Sequence, residues 1–178
     1  MRSPSQRGGP GRFPDGDVSD RVPPIACAPM PDGGDASAAA PLARGPSIRV
    51  LPRLGTDNSF FWTSGEDGVL RFLRCQDCRH FVHPPAPRCP YCEGGQLVPD
   101  AVSGRGTLHS FTVNHQQWIP GSDRYVVGLV TIAEQDDVRL MTNIVDCPEE
   151  QLRVDMEVEV TFEQHEDVWL PLFRPAAG

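Results

Sequence analysis

The 178-residue chain contains no lysine; all 16 of its basic residues are arginine. Schiff-base chemistry on a lysine amine and a phosphate loop built on lysine are therefore excluded. No apolar run approaches the ~18–20 residues that cross a bilayer. The least polar early stretch, Val22 to Pro31, is broken by Pro23, Pro24, Pro29 and Pro31, so it does not read as a secretory signal. The expectation is a cytoplasmic, reducing location with no membrane contact, where regularly spaced cysteines read as metal ligands rather than disulfides. Positive charge is also in deficit, with 24 acidic residues giving a net charge of −8. The first 46 residues are neutral, so the excess of acid lies in residues 47–178 and opposes a polyanion such as nucleic acid.

Proline and glycine are concentrated in residues 1–46, which hold a single aromatic, Phe13, and show neither helical nor strand periodicity. This segment is predicted to be a disordered tail. Order is expected from near Arg49, within a lead-in of residues 47–68. There Asp57-Asn58-Ser59 offers capping side chains for a short helix bearing Phe60, Phe61 and Trp62, and Gly65 is expected to end it. Three adjacent aromatics cannot all hide on one helix face. They either pack on the domain behind them or reach a protein interface, where aromatics are enriched.

Cys75-Gln76-Asp77-Cys78 and Cys89-Pro90-Tyr91-Cys92 are two CxxC pairs separated by ten residues. Each pair can aim two sulfurs at one point, and two pairs complete a tetrahedral thiolate shell. Residues 69–99 therefore read as a rubredoxin-like ribbon with structural zinc, redox iron being the alternative ion. A closed four-sulfur shell leaves no position for water and so no hydrolytic chemistry. Gly94 and Gly95 suit the tight second knuckle, and Arg74, Arg79 and Arg88 are placed to offset thiolate charge. His80 and His83 lie between the pairs as substitute ligands that four thiolates make unnecessary. Cys27 and Cys147 have no partner at metal spacing and read as free thiols.

Residues 100–175 carry a series of strand signals. Thr107–Gln117, the apolar run Tyr125–Ile132 and Val138–Val145 are followed by helix-start signals at Asp146-Cys147-Pro148-Glu149-Glu150. Glu157–Glu163 then alternates, with Val158, Val160 and Phe162 inward, and Trp169–Phe173 closes the series. Three strands, a short helical link and two more strands is the order of a five-stranded OB barrel, though other small barrels share parts of it. The predicted fold is mainly β: tail, short helix, zinc ribbon and OB-fold barrel.

From about Phe60 to Pro175 the chain resembles the zinc-ribbon/OB-fold proteins associated with acyl-CoA enzymes. The stretches that carry the likeness are Phe61-Trp62, Val69-Leu70, the two CxxC pairs with Pro84-Pro85 between them, Ser103-Gly104-Arg105-Gly106-Thr107, Leu140–Val145 and Leu170-Pro171-Leu172-Phe173-Arg174-Pro175. One departure is Asp155, where the family usually has glycine; Asp tolerates positive φ better than most residues. The resemblance implies a non-catalytic accessory subunit that binds a thiolase-like, aldolase or hydratase enzyme and helps form or stabilise its acyl-CoA site, in lipid or steroid metabolism.

No catalytic constellation stands against that implication. His109 and His115 lack an identified nucleophile, and Ser110 and Ser122 lack an elbow context. The acidic pairs Asp136-Asp137 and Glu149-Glu150 sit at turns. Ser103–Thr107 reads either as a glycine bend or as a phosphate-approaching loop aided by Arg105. The loop Asn114–Arg124 carries Trp118. Phe61, Trp62, Arg105 and Trp118 are the expected partner or ligand contacts. The rival class is a single-stranded nucleic-acid binder, which needs a positive groove with stacking aromatics.

Overall fold

The computed structural model describes residues 42–46, 48–117 and 123–177. Most of the expected tail, together with Cys27, Trp118 and Ser122, lies outside the described residues.

The lead-in helix α1 spans Ser59–Trp62 and is followed by a 3₁₀ turn, Ser64–Glu66. Asn58 does not cap α1 with its side chain. It reaches backwards instead: its Oδ1 accepts from the Gly55 N–H at 2.9 Å and its amide donates to the Arg53 carbonyl at 3.2 Å. Gly65 sits inside the 3₁₀ turn and is there for packing, since a Cβ would fall 2.5 Å from the Trp169 Cβ.

Strands β1 (Arg71–Cys75), β2 (Phe81–Val82) and β3 (Leu97–Ala101) form an antiparallel sheet in the order β2-β1-β3. The sheet runs two residues beyond the expected ribbon boundary at 99. Strands β4 (Arg105–Asn114), β5 (Tyr125–Ile132), β6 (Arg139–Ile144), β7 (Glu157–His165) and β8 (Val168–Pro175) close a barrel in the order β4-β5-β6-β8-β7. β7 returns to β4 over Arg105–Thr107, and β6 meets β8 in parallel at Ile144 and Phe173. This is the OB connection pattern. The predicted helical link between the third and fourth barrel strands is a single 3₁₀ turn, Glu149–Gln151.

Period-2 patterning places the core. Val126, Gly128, Val130 and Ile132 of β5 face inward, and Val158 of β7 is fully buried beside half-buried Val160 and Phe162. Gly128 leaves room for its neighbours, because a Cβ there would lie 2.7 Å from Ile144 and 2.9 Å from Leu108. The ribbon is no appendage: Phe61, Leu70, Phe72 and Phe81 belong to the same buried cluster as the barrel residues Leu108, Val130 and Phe173. Asp155 adopts φ 64, so an aspartate holds this left-handed turn, and its N–H donates to the Leu108 carbonyl at 2.8 Å.

Order begins earlier than Arg49. Leu42 packs on the core, Ala43 bridges Tyr125 in parallel, and the Ala43 N–H donates to the Arg124 carbonyl at 2.7 Å. Arg44 pairs with Asp146 at 2.9 Å and Arg49 with Glu163 at 3.0 Å, and Arg49 donates to the Asn143 side-chain Oδ1 at 2.7 Å. Glu163 also meets His165 at 2.7 Å. Burial pushes the Glu163 carboxyl up, but His165 and Arg49 outweigh it and hold the group below its ordinary value.

In urea unfolding followed by circular dichroism, Gly128→Ala is expected to cost about 1–3 kcal/mol through overpacking. Asp155→Gly is expected to change stability by less than about 1 kcal/mol, because the backbone already holds the conformation glycine prefers.

Candidate metal centre

The two CxxC knuckles are built alike. In the first, the Arg79 N–H donates to the Cys75 carbonyl and the Cys75 N–H to the His80 carbonyl; in the second, Glu93 and Cys89, then Cys89 and Gly94, repeat both bonds at 2.9 Å. The left-handed residue of each knuckle is the one directly after the second cysteine, Arg79 (φ 67) and Glu93 (φ 61), not the glycines the sequence offered. Gly94 is needed for space, since a Cβ there would press on Asp77 and lie 3.3 Å from the Cys92 sulfur.

This geometry brings the sulfurs of Cys75, Cys78, Cys89 and Cys92 within 4.8 Å of one another, with Cys75–Cys92 at 3.6 Å and Cys78–Cys89 at 3.5 Å. A tetrahedral shell with metal–sulfur bonds of about 2.3 Å has sulfur–sulfur edges of about 3.8 Å, so the four residues fit one ion without rearrangement. Backbone amides already serve the sulfurs. The N–H groups of Cys78 and Asp77 hold the Cys75 thiol down at about 7. At Cys92 the Gly94 amide acts in the same sense, but the crowding thiol of Cys78 and burial prevail and push it up to about 12. The cluster is compatible with a structural metal site.

Neither histidine between the pairs joins the sulfurs. His80 stacks on Tyr91 at 4.3 Å, and His83 lies among aromatics, 5.2 Å from Phe61 and 4.8 Å from Phe72 between ring centroids. Burial lowers the His83 pKa to about 4, and its Nδ1 has no hydrogen-bond partner among the described residues. Two of the three flanking arginines tie backbone carbonyls and the third a side-chain amide, and none of these bonds goes to a sulfur. Arg74 donates to the Arg79 carbonyl, pairs with Asp100 at 3.0 Å and lies 4.8 Å over the Phe81 ring. Arg88 donates to the Glu93 carbonyl and Arg79 to the Gln76 side chain.

Sequence reasoning missed what fixes the ribbon to the barrel. The Gln135 side chain accepts from the Phe81 N–H at 2.7 Å and donates to the Phe81 carbonyl at 3.1 Å, continuing the β2 ladder with an amide from the β5–β6 turn. The same amide reaches the Tyr91 hydroxyl and Asp137, and Tyr91 donates to Asp137 at 2.7 Å. That bond from Tyr91 is the main cause of the lowered Asp137 pKa. The acidic turn, expected to be merely solvated, is the seat of this latch. The only local signal was a glutamine between a strand end and two aspartates.

The expected contact residues separate. Phe61 is only 3 % exposed and packs edge-on to Trp62 at 4.8 Å and near Phe72, so its partner-facing role is corrected to a core role. Trp62 is half-buried and borders a surface hollow. Arg105 is exposed and has no side-chain partner among the described residues; it lines a hollow of about 320 Å³ shared with Asp136 and Glu157. The Ser103–Thr107 segment is a bend: Gly104 takes φ +74 against Val160, and the Ser103 N–H already donates to the Glu134 carboxylate at 2.6 Å. A carboxylate on that amide disfavours a phosphate there. His109 falls at a β-bulge between Leu108 and Ser110; it and His115 are solvent-exposed. Cys147 is a free, buried thiol, its pKa raised by burial. Among the described residues no helix is long and apolar enough to cross a membrane.

Fold and site together define a rubredoxin-like ribbon fused through a common core to an OB barrel. Residues 62–98 match the family described as ChsH2, rubredoxin-like zinc ribbon domain, and residues 100–163 match ChsH2, C-terminal OB-fold domain. The chain belongs to the ChsH2/DUF35-type zinc-ribbon and OB-fold proteins. It is 28% identical over 131 residues to the 3-oxo-4,17-pregnadiene-20-carboxyl-CoA hydratase alpha subunit of Mycobacterium tuberculosis, covering 73% of this chain and 41% of that protein. The chain thus spans less than half the length of that relative. A DUF35 domain-containing scaffold protein of Methanothermobacter thermautotrophicus is 32% identical over 92 residues, which cover 50% of this chain and 68% of that protein. The solved structure titled Ltp2-ChsH2(DUF35) aldolase superposes with a TM-score of 0.64 at 31% identity, covering 71% of this chain and the whole of the matched chain.

Two outcomes are expected. Cys89→Ser should abolish stoichiometric metal in elemental analysis and lower the thermal midpoint of the whole domain, because the ribbon shares the barrel's core. His83, neutral when folded with a pKa of about 4 against 6.5 unfolded, favours the unfolded state as pH falls through that window. Wild type should therefore lose roughly 2–3 kcal/mol relative to His83→Leu between pH 7 and pH 4, measured by urea unfolding at each pH.

Proposed function

We infer that this protein is a non-catalytic accessory subunit of an acyl-CoA enzyme. Its partner is a thiolase-like, aldolase or hydratase enzyme of lipid or steroid metabolism, whose acyl-CoA site it helps to form or stabilise. The observation that carries the reading is the match, over 71% of this chain and the whole of the other, to the chain in the Ltp2-ChsH2(DUF35) aldolase structure. The scaffold name of the archaeal relative and the hydratase name of the mycobacterial one support the same role. Cys75, Cys78, Cys89 and Cys92 hold one structural zinc, which closes the ribbon and leaves no open coordination position. A reducing cytoplasm suits four free thiolates.

Tagged full-length chain recovered from its native host is expected to bring down an acyl-CoA enzyme identified by mass spectrometry, and to carry about one zinc per chain. The isolated chain should turn over no acyl-CoA. Turnover by this chain alone would remove the accessory role, and iron in place of zinc would correct the cofactor.

A further inference from the structure

The barrel's charges are sorted by strand. β4, β5 and β6 contain no aspartate or glutamate, whereas β7 alone carries Glu157, Glu159 and Glu163. In a chain with 24 acidic residues this leaves one acid-free wall. On the outer side of β6 stand Arg139, Met141 and Asn143, alternating with buried Leu140, Thr142 and Ile144. Met141 is 73 % exposed, faces half-buried Leu129 across the β5–β6 register, and has Arg139 beside it. Arg139 has no side-chain partner among the described residues. Past Met141, where β6 and β8 part, a hollow of about 140 Å³ is walled by Trp62, Met141 and Leu170. The Arg49–Asn143 clasp fixes the lead-in beside the same end of β6, leaving Val50 94 % exposed.

Exposed Met141, with half-buried Trp62 and Leu170 around the hollow and unpaired Arg139 beside it, forms a patch of interface composition: apolar centre, arginine at the rim, and no carboxylate among the residues lining the hollow or standing on β5 and β6. We propose that this outer β5–β6 face, continued over Met141 to Trp62, is the surface on which the partner acyl-CoA enzyme docks. The patch on that enzyme is apolar and rimmed by aspartate or glutamate. Charge weighs against a second copy, and the scarcity of aromatics on β5 weighs against nucleic acid. Two copies of this face meeting about a two-fold axis would bring arginine-bearing, acid-free walls together. A nucleic-acid strand would need stacking aromatics, and Tyr125 at the end of β5 is the only aromatic in the outward row of that strand. The proposal rests on the accessory reading above and adds the face to it.

The test uses the full-length chain and the acyl-CoA enzyme recovered with it, purified separately, with binding measured by calorimetry at two salt concentrations. Met141→Asp and Arg139→Glu are each expected to weaken binding at least tenfold, and the loss on Arg139→Glu should shrink at high salt. Val154→Asp, at an exposed apolar site outside the patch, should stay within about twofold. Thermal midpoint and metal content of all three should match wild type, since the positions are exposed. If wild type binds the enzyme and both patch variants bind equally well, the face is wrong while the accessory reading stands. If wild type retains no acyl-CoA enzyme, the accessory reading falls and the face with it. A wild-type dimer in sedimentation that Met141→Asp returns to monomer would reassign the patch to self-contact. Binding of an oligothymidylate that Arg139→Glu abolishes would reassign it to nucleic acid.

Discussion

A three-stranded sheet of twelve residues buries too little to hold itself, and everything in this protein is arranged around that deficit. Two devices make it good. At one end of β1, Cys75 enters a four-cysteine cluster compatible with a structural metal, which when bound would supply cross-linking energy. Three residues earlier, Phe72 enters the barrel core, with Phe61, Leu70 and Phe81 beside it. A single strand thus hands one side chain to the four-cysteine cluster and another to the hydrophobic core. The knuckles, the lead-in and the barrel are mutually dependent because of that division.

The same arrangement explains the placing of function. A four-sulfur shell leaves no open position for chemistry, and the hollow beside Arg105 is lined by two carboxylates, Asp136 and Glu157, against that one arginine. What is left for recognition is broad surface, and the barrel's surface is not uniform. β7 gathers acids, of which Glu159 and Glu163 pair with Arg174, Arg49 and His165, while β4, β5 and β6 carry none. Such sorting suits a subunit whose work is to be held in one orientation by another protein.

Much of this was legible in the sequence, because it is written in short-range spacing. The CxxC pairs, the alternation of Glu157–Glu163 and the proline-acid start at Pro148 each lie within a few residues and specify local geometry. Asp155 was legible too, since a turn needing positive φ accepts Asp for a physical reason. The misread features are those settled by distant neighbours. Phe61 was ambiguous until Phe72 and His83 closed over it. Gln135 meets Phe81 and Arg49 meets Asn143 across most of the fold, and no local pattern announces a side chain that completes another strand's ladder. Glycine misled twice: at Gly65 and Gly94 it serves close approach, while the left-handed turns fell to Arg79 and Glu93.

The Gln135 latch has one more effect. An open sheet has two edges with unpaired backbone groups that invite another strand. A closed barrel has none, so the ribbon is the part of this fold exposed to that hazard. On one edge Gln135 occupies both the N–H and the carbonyl of Phe81; on the other, β3 carries Pro99, which cannot donate. Both margins are blunted, one by a borrowed amide and one by a ring. Neighbouring molecules are thereby denied strand addition and must approach through side chains, which keeps association selective and the cysteine-bearing sheet out of edge-to-edge aggregates.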